Sequence, residues 1–584
     1  MKGPALPEVK HATVTEALAA AARGPLGLVF VDAAERETSM PWAEVYARAR
    51  RTAAGLARLG VCPGDRVALL LPTAPGFMDG FFGALLAGAV PVPLYPPVRL
   101  GRLEEYHRST ARMLEVSGAV VVLTDTKVRL LLGESMAAAR PRLGCHTVEE
   151  VFRAEGDLAV AASPEALALI QFSSGSTVEP KPVALSHGNL MAQLAALEAE
   201  LPPPSDRAPV GVSWLPLYHD MGLIGCLLSA VYYPGGMVLI PPEVFLARPA
   251  LWLRALSRHR GFVSPAPNFA YGLCLKRVKD AELEGVDLSG WMHALNGAEP
   301  VSVETLRHFT ERFSRWGFQA GALRPVYGLS EASLAVTFPP AGRGPRALGV
   351  DAKVLASERR AVEGSREVVS VGRPVPGFEV QVRDELGHEV PERRVGRVFA
   401  RGPSVMVGYF GHPEATANAR DAGGWLDTGD LGFVADGELY LTGRAKDVVI
   451  IRGANHAPQE FEECLEGVEG LRTGCAVALG FTPEGEQDEA LLILAEHAPG
   501  APVKELEERI REAVVEGTGV RAHTVRVLEP GTLPRTSSGK LRRSEALRRY
   551  LAGELTAPKK VGTVGLAVEM AKSALAFVRA GREG

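Results

Sequence analysis

The chain has 584 residues but only six cysteines, Cys62, Cys145, Cys226, Cys274, Cys464 and Cys475, and no two of them form a C-x-x-C pair. They read as scattered, reduced thiols of a cytoplasmic protein. An excess of positive charge is also missing. The 64 Lys and Arg against 68 Asp and Glu leave a net charge of -4, so there is no basic field to hold nucleic acid. The first residues, MKGPALPEVKHATVTEAL, lack an apolar signal core. One long stretch without charge, Met221 to Pro242, is cut by Pro234-Gly235-Gly236. It reads as a buried helix, a turn and a buried strand, and no stable membrane insertion is expected.

What the chain does have is length and alternation. It is too long for one core, so at least two domains are expected. Short apolar runs at Leu26–Val31, Arg66–Leu71, Ala89–Leu94 and Ala119–Thr124 read as strands. Between them Trp42 to Leu59, Pro75 to Ala87 and Tyr106 to Val116 carry apolar residues at helical spacing. This alternation predicts an α/β fold of parallel sheets covered on both faces. Ligands of such sheets sit beyond the carboxyl ends of the strands.

The stretch around which the chain is organised is placed at such an end. Leu167 to Phe172 reads as a buried strand, followed by the turn Ser173-Ser174-Gly175-Ser176-Thr177, then Lys181 and a helix from His187. Loop N–H groups, small hydroxyls and one ammonium can converge on a single anion, which suits a polyphosphate. It is not a Walker loop, because the Gly-x4-Gly-Lys-Ser/Thr spacing is absent. An ordinary Ser-rich connection has the same composition, so the rest of the chain must decide.

Four further stretches combine a strand end with a polar or small-residue turn. Ser213 to Leu223 carries His219 and Asp220 at the tip of an apolar region. Asp220 suits a helix cap, and His219 suits either a satisfied histidine or a pocket wall. The second, Val263 to Phe269, has a Pro-stiffened turn. In Asn296-Gly297-Ala298 small residues let a flat ring approach the backbone. In Tyr327-Gly328-Leu329-Ser330-Glu331, the Tyr can stack on a base and the Glu can hold a divalent cation. Asp430 follows in Asp427-Thr428-Gly429-Asp430, before a hairpin turning at Asp436-Gly437. It can chelate ribose hydroxyls, or serve as a turn residue. Composition changes after Gly443-Arg444-Ala445-Lys446-Asp447, so a domain boundary is placed at Lys446. The last marked stretch is Pro534 to Arg543, a Ser/Gly turn carrying Lys540. Val564 to Val578 reads as an amphipathic surface helix.

In that order and at those wide intervals, the motifs resemble the adenylate-forming superfamily of acyl-CoA synthetases, peptide-synthetase adenylation domains and luciferases. The resemblance covers residues 13 to 552 or so. Ser213 to Gly225, Val263 to Tyr271, Arg452 to Glu462 and the long polar segment 340–369 look like the fatty acyl-AMP ligases, in which this segment holds an insertion linked to poor use of CoA. The family implies a large N-terminal domain of αβ layers with a distorted β-barrel-like subdomain, here 1–445. A small mobile α+β domain, 446–555, and a tail, 556–584, would follow.

It also implies roles. Residues 173–177 and Lys181 would hold the β- and γ-phosphates of ATP. Asn296, Gly297, Ala298, Tyr327, Gly328 and Ser330 would surround AMP. Asp430 would take the ribose hydroxyls, Arg444 would reach the ribose or phosphate, and Glu331 would bind Mg2+. Lys540 would bridge the acyl carboxylate and the α-phosphate, and Lys446 would be the hinge. His219, Met221, Leu223 and Ile224 would line the acyl pocket. No Asp near 213–225 suits an α-amine, so a medium- or long-chain fatty acid is expected. The chain has no Asp-Ser-Leu carrier segment, so an acyl carrier protein would act in trans. Two departures bear on the loop: Val178 and Pro182 stand where the family has Gly, restricting dihedrals and removing an N–H donor. The competing readings are a true acyl-CoA synthetase and a catalytically silent acyl- or nucleotide-binding protein.

Overall fold

Runs of Val, Leu and Ala flanked by Gly and Pro form two parallel sheets. A computed structural model describes the chain apart from residues 98–99, 154–155, 174–179, 484–485, 487, 499, 537–538, 559–561 and 581–584. The larger sheet has the order Leu323–Pro325, His293–Asn296, Val263–Ala266, Val210–Ser213, Gly236–Leu239, Gly27–Val31 and Glu37–Pro41. Every neighbouring pair in it is parallel except the last. The smaller sheet, Val90–Pro93, Arg66–Leu70, Ala119–Thr124 and Cys145–Thr147, is parallel throughout. Helices Trp42–Arg58 and Pro75–Leu86 join the central core. The interior strands Gly236–Leu239 and His293–Asn296 are buried along their whole length, as double coverage requires. The Met221 to Pro242 stretch is a helix, a turn and the strand Gly236–Leu239, and its middle turn, Leu223–Leu228, is π-helical.

The phosphate-loop region departs from the sequence reading. Leu167–Phe172 does not feed a helix through a parallel crossover. It pairs antiparallel with Pro182–Ser186, which pairs antiparallel with Gly408–Tyr409. The run Pro-Val-Ala-Leu-Ser is buried at every position and forms this extra strand before helix His187–Glu200 begins. The loop therefore joins two antiparallel strands, and the helix starts at the far end of the second.

Residues 327–444 build an antiparallel sheet of eight strands. Its hairpin turns at Asp436 and Gly437, both at positive φ, 52° and 72°, as a two-residue type I′ connection needs. Segment 340–369 is folded rather than loose. Strand Ala347–Val350, helix Ala352–Glu358 and the start of strand Arg366–Pro374 share a small core with Phe433 and Tyr440. Beyond the single turn Ala445–Asp447 come a hairpin and a three-stranded sheet, with helices Pro458–Glu463, Val503–Thr518 and Arg543–Leu551. Their apolar side chains form two clusters separate from the main core. The helix Thr563–Ala580 then returns to the N-terminal part, where Ser573 is buried and its hydroxyl accepts the Gly133 N–H at 2.7 Å. Among the described residues no helix is long and apolar enough to cross a membrane.

Candidate active site

A cleft of about 2520 Å³ separates the N-terminal sheets from the part beyond Lys446. Glu331 lies on its wall in a one-turn helix, Ser330–Ala332, and accepts the Tyr409 hydroxyl at 3.0 Å. The same Tyr409 ring lies under the Lys181 ammonium, 4.6 Å from ring centroid to Nζ. Burial pushes the Glu331 carboxyl above its ordinary range, while the Tyr409 bond and the Arg444 charge oppose that shift. Among the described residues no cluster of three His, Cys, Asp or Glu forms a metal cage. One carboxylate fits the need of a magnesium–nucleotide complex, which keeps waters and phosphates as its other ligands. Ser173 is held to Lys181 by backbone bonding, its N–H donating to the Lys181 carbonyl at 2.9 Å. Ser174, Gly175, Ser176 and Thr177, like Val178, lie outside the described residues.

Behind Glu331 the Tyr327 hydroxyl donates to Asp430 Oδ2 at 2.6 Å, and Arg444 Nε stands 3.3 Å from Oδ1. Burial raises the Asp430 carboxyl, with Arg444 and the Tyr327 bond opposing it. Gly328 can only be Gly, because a Cβ there would meet the Leu334 carbonyl at 1.7 Å. Ala298 faces the cleft with φ of 70°, a conformation that L-residues rarely take. Asn296 and Gly297 sit behind this wall rather than on it. Asn296 donates to Asn268 at 3.0 Å, and its own side-chain oxygen is buried without a partner among the described residues.

Lys540 reaches the same cleft from the far side. Its loop is closed by the Thr536 N–H donating to the Lys540 carbonyl at 2.8 Å, and by Arg535 donating to the Gly539 carbonyl at 2.7 Å. Burial lowers the Lys540 amine, whereas the carboxylates of Asp220, Glu299 and Asp430 favour its charge. Lys446 occupies the turn that connects the two parts, and burial lowers its amine too. His219 and Met221 line the cleft. Leu223 and Ile224 do not. Both are wholly buried in the main core, because the π-helical turn directs them inward and leaves Gly225 on the wall.

A family model described as AMP-binding enzyme matches residues 18–410. The chain belongs to the AMP-binding enzymes. A protein of Caulobacter vibrioides named a putative acyl-CoA synthetase is 37% identical over 551 residues, covering 93% of this chain and 96% of its own. The long-chain-fatty-acid–AMP ligase FadD26 of Mycobacterium marinum is 35% identical, with 88% and 91% covered. JamA of Moorena producens, named a medium-chain-fatty-acid–[acyl-carrier-protein] ligase, is 34% identical, with 90% and 92% covered. A solved structure from work on fatty acyl-adenylate ligases of E. coli and L. pneumophila superposes with a TM-score of 0.87 at 34% identity, over 93% of this chain and 99% of that one.

Three residues of this AMP-binding enzyme's cleft escaped the sequence reading. Tyr409 had no motif around it and is brought in by strand pairing, opposite Val183. Glu299 accepts the Phe269 N–H at 2.5 Å and joins the carboxylates around Lys540. Asp220, read as a cap, turns most of its bonding elsewhere: its carboxylate meets His219 and Ser330.

Proposed function

We propose that this AMP-binding enzyme joins a medium- or long-chain fatty acid to AMP, then passes the acyl group to the phosphopantetheine thiol of an acyl carrier protein. The observation that carries the first step is the convergence of Lys181, Glu331, Asp430, Arg444 and Lys540 on one cleft. A carboxylate attacking a polyphosphate is an anion meeting a polyanion, so pre-placed cations and donors lower the barrier. The carboxylate oxygen bonds to the α-phosphorus, the bond to the bridging β-phosphate oxygen breaks, and pyrophosphate leaves. Lys540 is the cation for the attacking carboxylate and the α-phosphate, and Lys181 is the one for the outer phosphates. Glu331 would hold a magnesium ion that comes with ATP and neutralises phosphate charge there. Asp430 receives the ribose hydroxyls beside Arg444, and Tyr327 flanks the adenine.

In the second step the thiol sulfur attacks the acyl carbonyl carbon. The carbon–oxygen bond to AMP breaks, giving thioester, AMP and the thiol proton. Residues 446–555 would swing about Lys446 between the steps. A carrier rather than CoA as acceptor is supported by segment 340–369. It is ordered, it lines the cleft, and Arg366 binds Glu460 of the C-terminal part at 2.6 Å.

The test incubates labelled dodecanoate, ATP and Mg2+ with no acceptor, with CoA, or with a holo-carrier protein. Acyl-AMP alone in the first two and transfer only in the third is the expected result. Rapid acyl-CoA formation overturns the acceptor assignment, and absence of adenylate at any chain length overturns the whole reading.

A further inference from the structure

Asp220 holds together parts of the cleft that are far apart in the chain. Its Oδ1 lies 2.6 Å from His219 Nδ1 and accepts the Met221 N–H at 2.7 Å. Its Oδ2 accepts the Ser330 hydroxyl at 2.5 Å. Only the Met221 bond serves the short helix Asp220–Gly222, whose N-cap is His219. The residue is 7% exposed, and a carboxylate so withdrawn from water persists as an anion only where its partners compensate. Burial opposes its ionisation, yet the charge and hydrogen bond of His219, then the Ser330 bond and Lys540, hold the carboxyl well below the usual carboxylate range.

These partners are not structural filler. His219, Ser330 and Lys540 all line the cleft, and Ser330 is the residue before Glu331. Asp220 is also the first of the carboxylates that favour the Lys540 charge. The bond to Nδ1 leaves Nε2 as the ring nitrogen free to meet a ligand. A carboxylate or phosphate of the substrate can be met at Nε2 only while the ring keeps this orientation. With Asp220 gone, the ring can rotate or change tautomer, and both results spoil that contact.

We propose that Asp220 is a positioning residue for adenylation, fixing the His219 ring and the Ser330 hydroxyl in register with Lys540 where the fatty acid carboxylate meets the α-phosphate. The inference rests on the adenylation reading above. It assigns Asp220 no contact with the substrate: it acts through His219 and Ser330.

The test uses the full chain and compares wild type, Asp220→Asn, His219→Gln and the double variant. Asn keeps the shape and one acceptor but removes the charge. Single-turnover formation of dodecanoyl-AMP should fall about 100-fold in Asp220→Asn, the scale for loss of one electrostatic device. The KM for dodecanoate should rise and the KM for ATP should change little. In the double variant the two losses should be far from additive, as for residues that act as a unit. A rate in Asp220→Asn within twofold of wild type, or additive losses, overturns the proposal.

A second readout needs no turnover. In 15N-histidine spectra the His219 signals, identified by their loss in His219→Gln, should shift in Asp220→Asn while the variant still melts cooperatively as a folded protein. Unchanged His219 signals overturn the positioning role. If the wild type itself forms no adenylate, the adenylation reading fails, and the ring signals still decide whether Asp220 orients His219.

Discussion

The Tyr409 hydroxyl donates to Glu331 Oε1 at 3.0 Å while the face of the same ring carries the Lys181 ammonium. One side chain thus couples a carboxylate suited to a divalent cation with an ammonium suited to phosphate. Tyr409→Phe removes only the hydroxyl. A hydrogen bond to a charged group contributes roughly 1.5–3 kcal/mol, so the rate of acyl-AMP formation at low Mg·ATP should fall by about 10-fold or more. Tyr409→Leu also removes the ring beneath Lys181 and should be slower still. Titrating Mg·ATP against initial rate checks both, and a Phe variant equal to wild type would remove Tyr409 from the site.

Glu331 should cost the folded protein stability at neutral pH. Its carboxyl is pushed up by burial, so the folded chain keeps a proton that the unfolded chain has already released. Stability therefore falls as pH rises through the ordinary carboxylate range toward the folded value, and the full penalty is present above it. Glu331→Gln should melt at a higher temperature than wild type at pH 7.5. The gap should close below about pH 4, where the carboxyl is protonated in both states. The variant should lose acyl-AMP formation by about 100-fold. Thermal melts across pH provide the check, and parallel curves for the two proteins would contradict the burial argument.

Lys540→Ala separates binding from chemistry. The Lys540 amine lies among Asp220, Glu299 and Asp430 and is delivered by a loop from the C-terminal part. On the proposed reading, nucleotide binding would rest on Lys181, Glu331 and Asp430, whereas attack by a carboxylate would need Lys540. ATP affinity by calorimetry should stay within about threefold of wild type. Single-turnover adenylation should drop about 100-fold or more. Undiminished adenylation would refute the role given to Lys540.

The parallel strands and the Asp436-Gly437 hairpin were legible in the sequence because each is set by local pattern: apolar runs of strand length and a two-residue turn. The motifs around Glu331, Asp430 and Lys540 stood out because the residues of each are adjacent in the chain. What failed depended on pairing and rotation. Pro182–Ser186 opens on a proline directly behind the Ser-rich loop, which masks it as a strand, and only its antiparallel register brings Tyr409 opposite Val183. Leu223 and Ile224 were placed in the acyl pocket by the resemblance and their apolar side chains, and a π-helical turn rotates them into the core. Asp220 looked like a cap because its neighbours in the chain allow one. Its partner Ser330 is 110 residues away.

The return of helix Thr563–Ala580 to the N-terminal part ties the chain beyond Lys446 at a second point. Gly133 opens helix Gly133–Ala139, and a Cβ on it would meet the Ser573 carbonyl oxygen at 1.9 Å. Phe577 adds an apolar contact to the cluster of the smaller parallel sheet, with the Arg129 guanidinium 5.9 Å from its ring. Segment 552–562 can span at most about 40 Å when fully extended, so the proposed swing about Lys446 would have to stay within that reach while the helix is docked. Gly133→Val should lift the helix without touching the cleft. Amides of 563–580 should then exchange with solvent much faster, and protease should cut 552–562 more readily. Acyl-AMP formation should remain within twofold of wild type. Ser573→Ala, which removes one hydrogen bond of about 1 kcal/mol, should give a smaller change in the same direction. Hydrogen exchange of the two variants decides the matter, and full protection of 563–580 in Gly133→Val would mean that the helix is not held at Gly133.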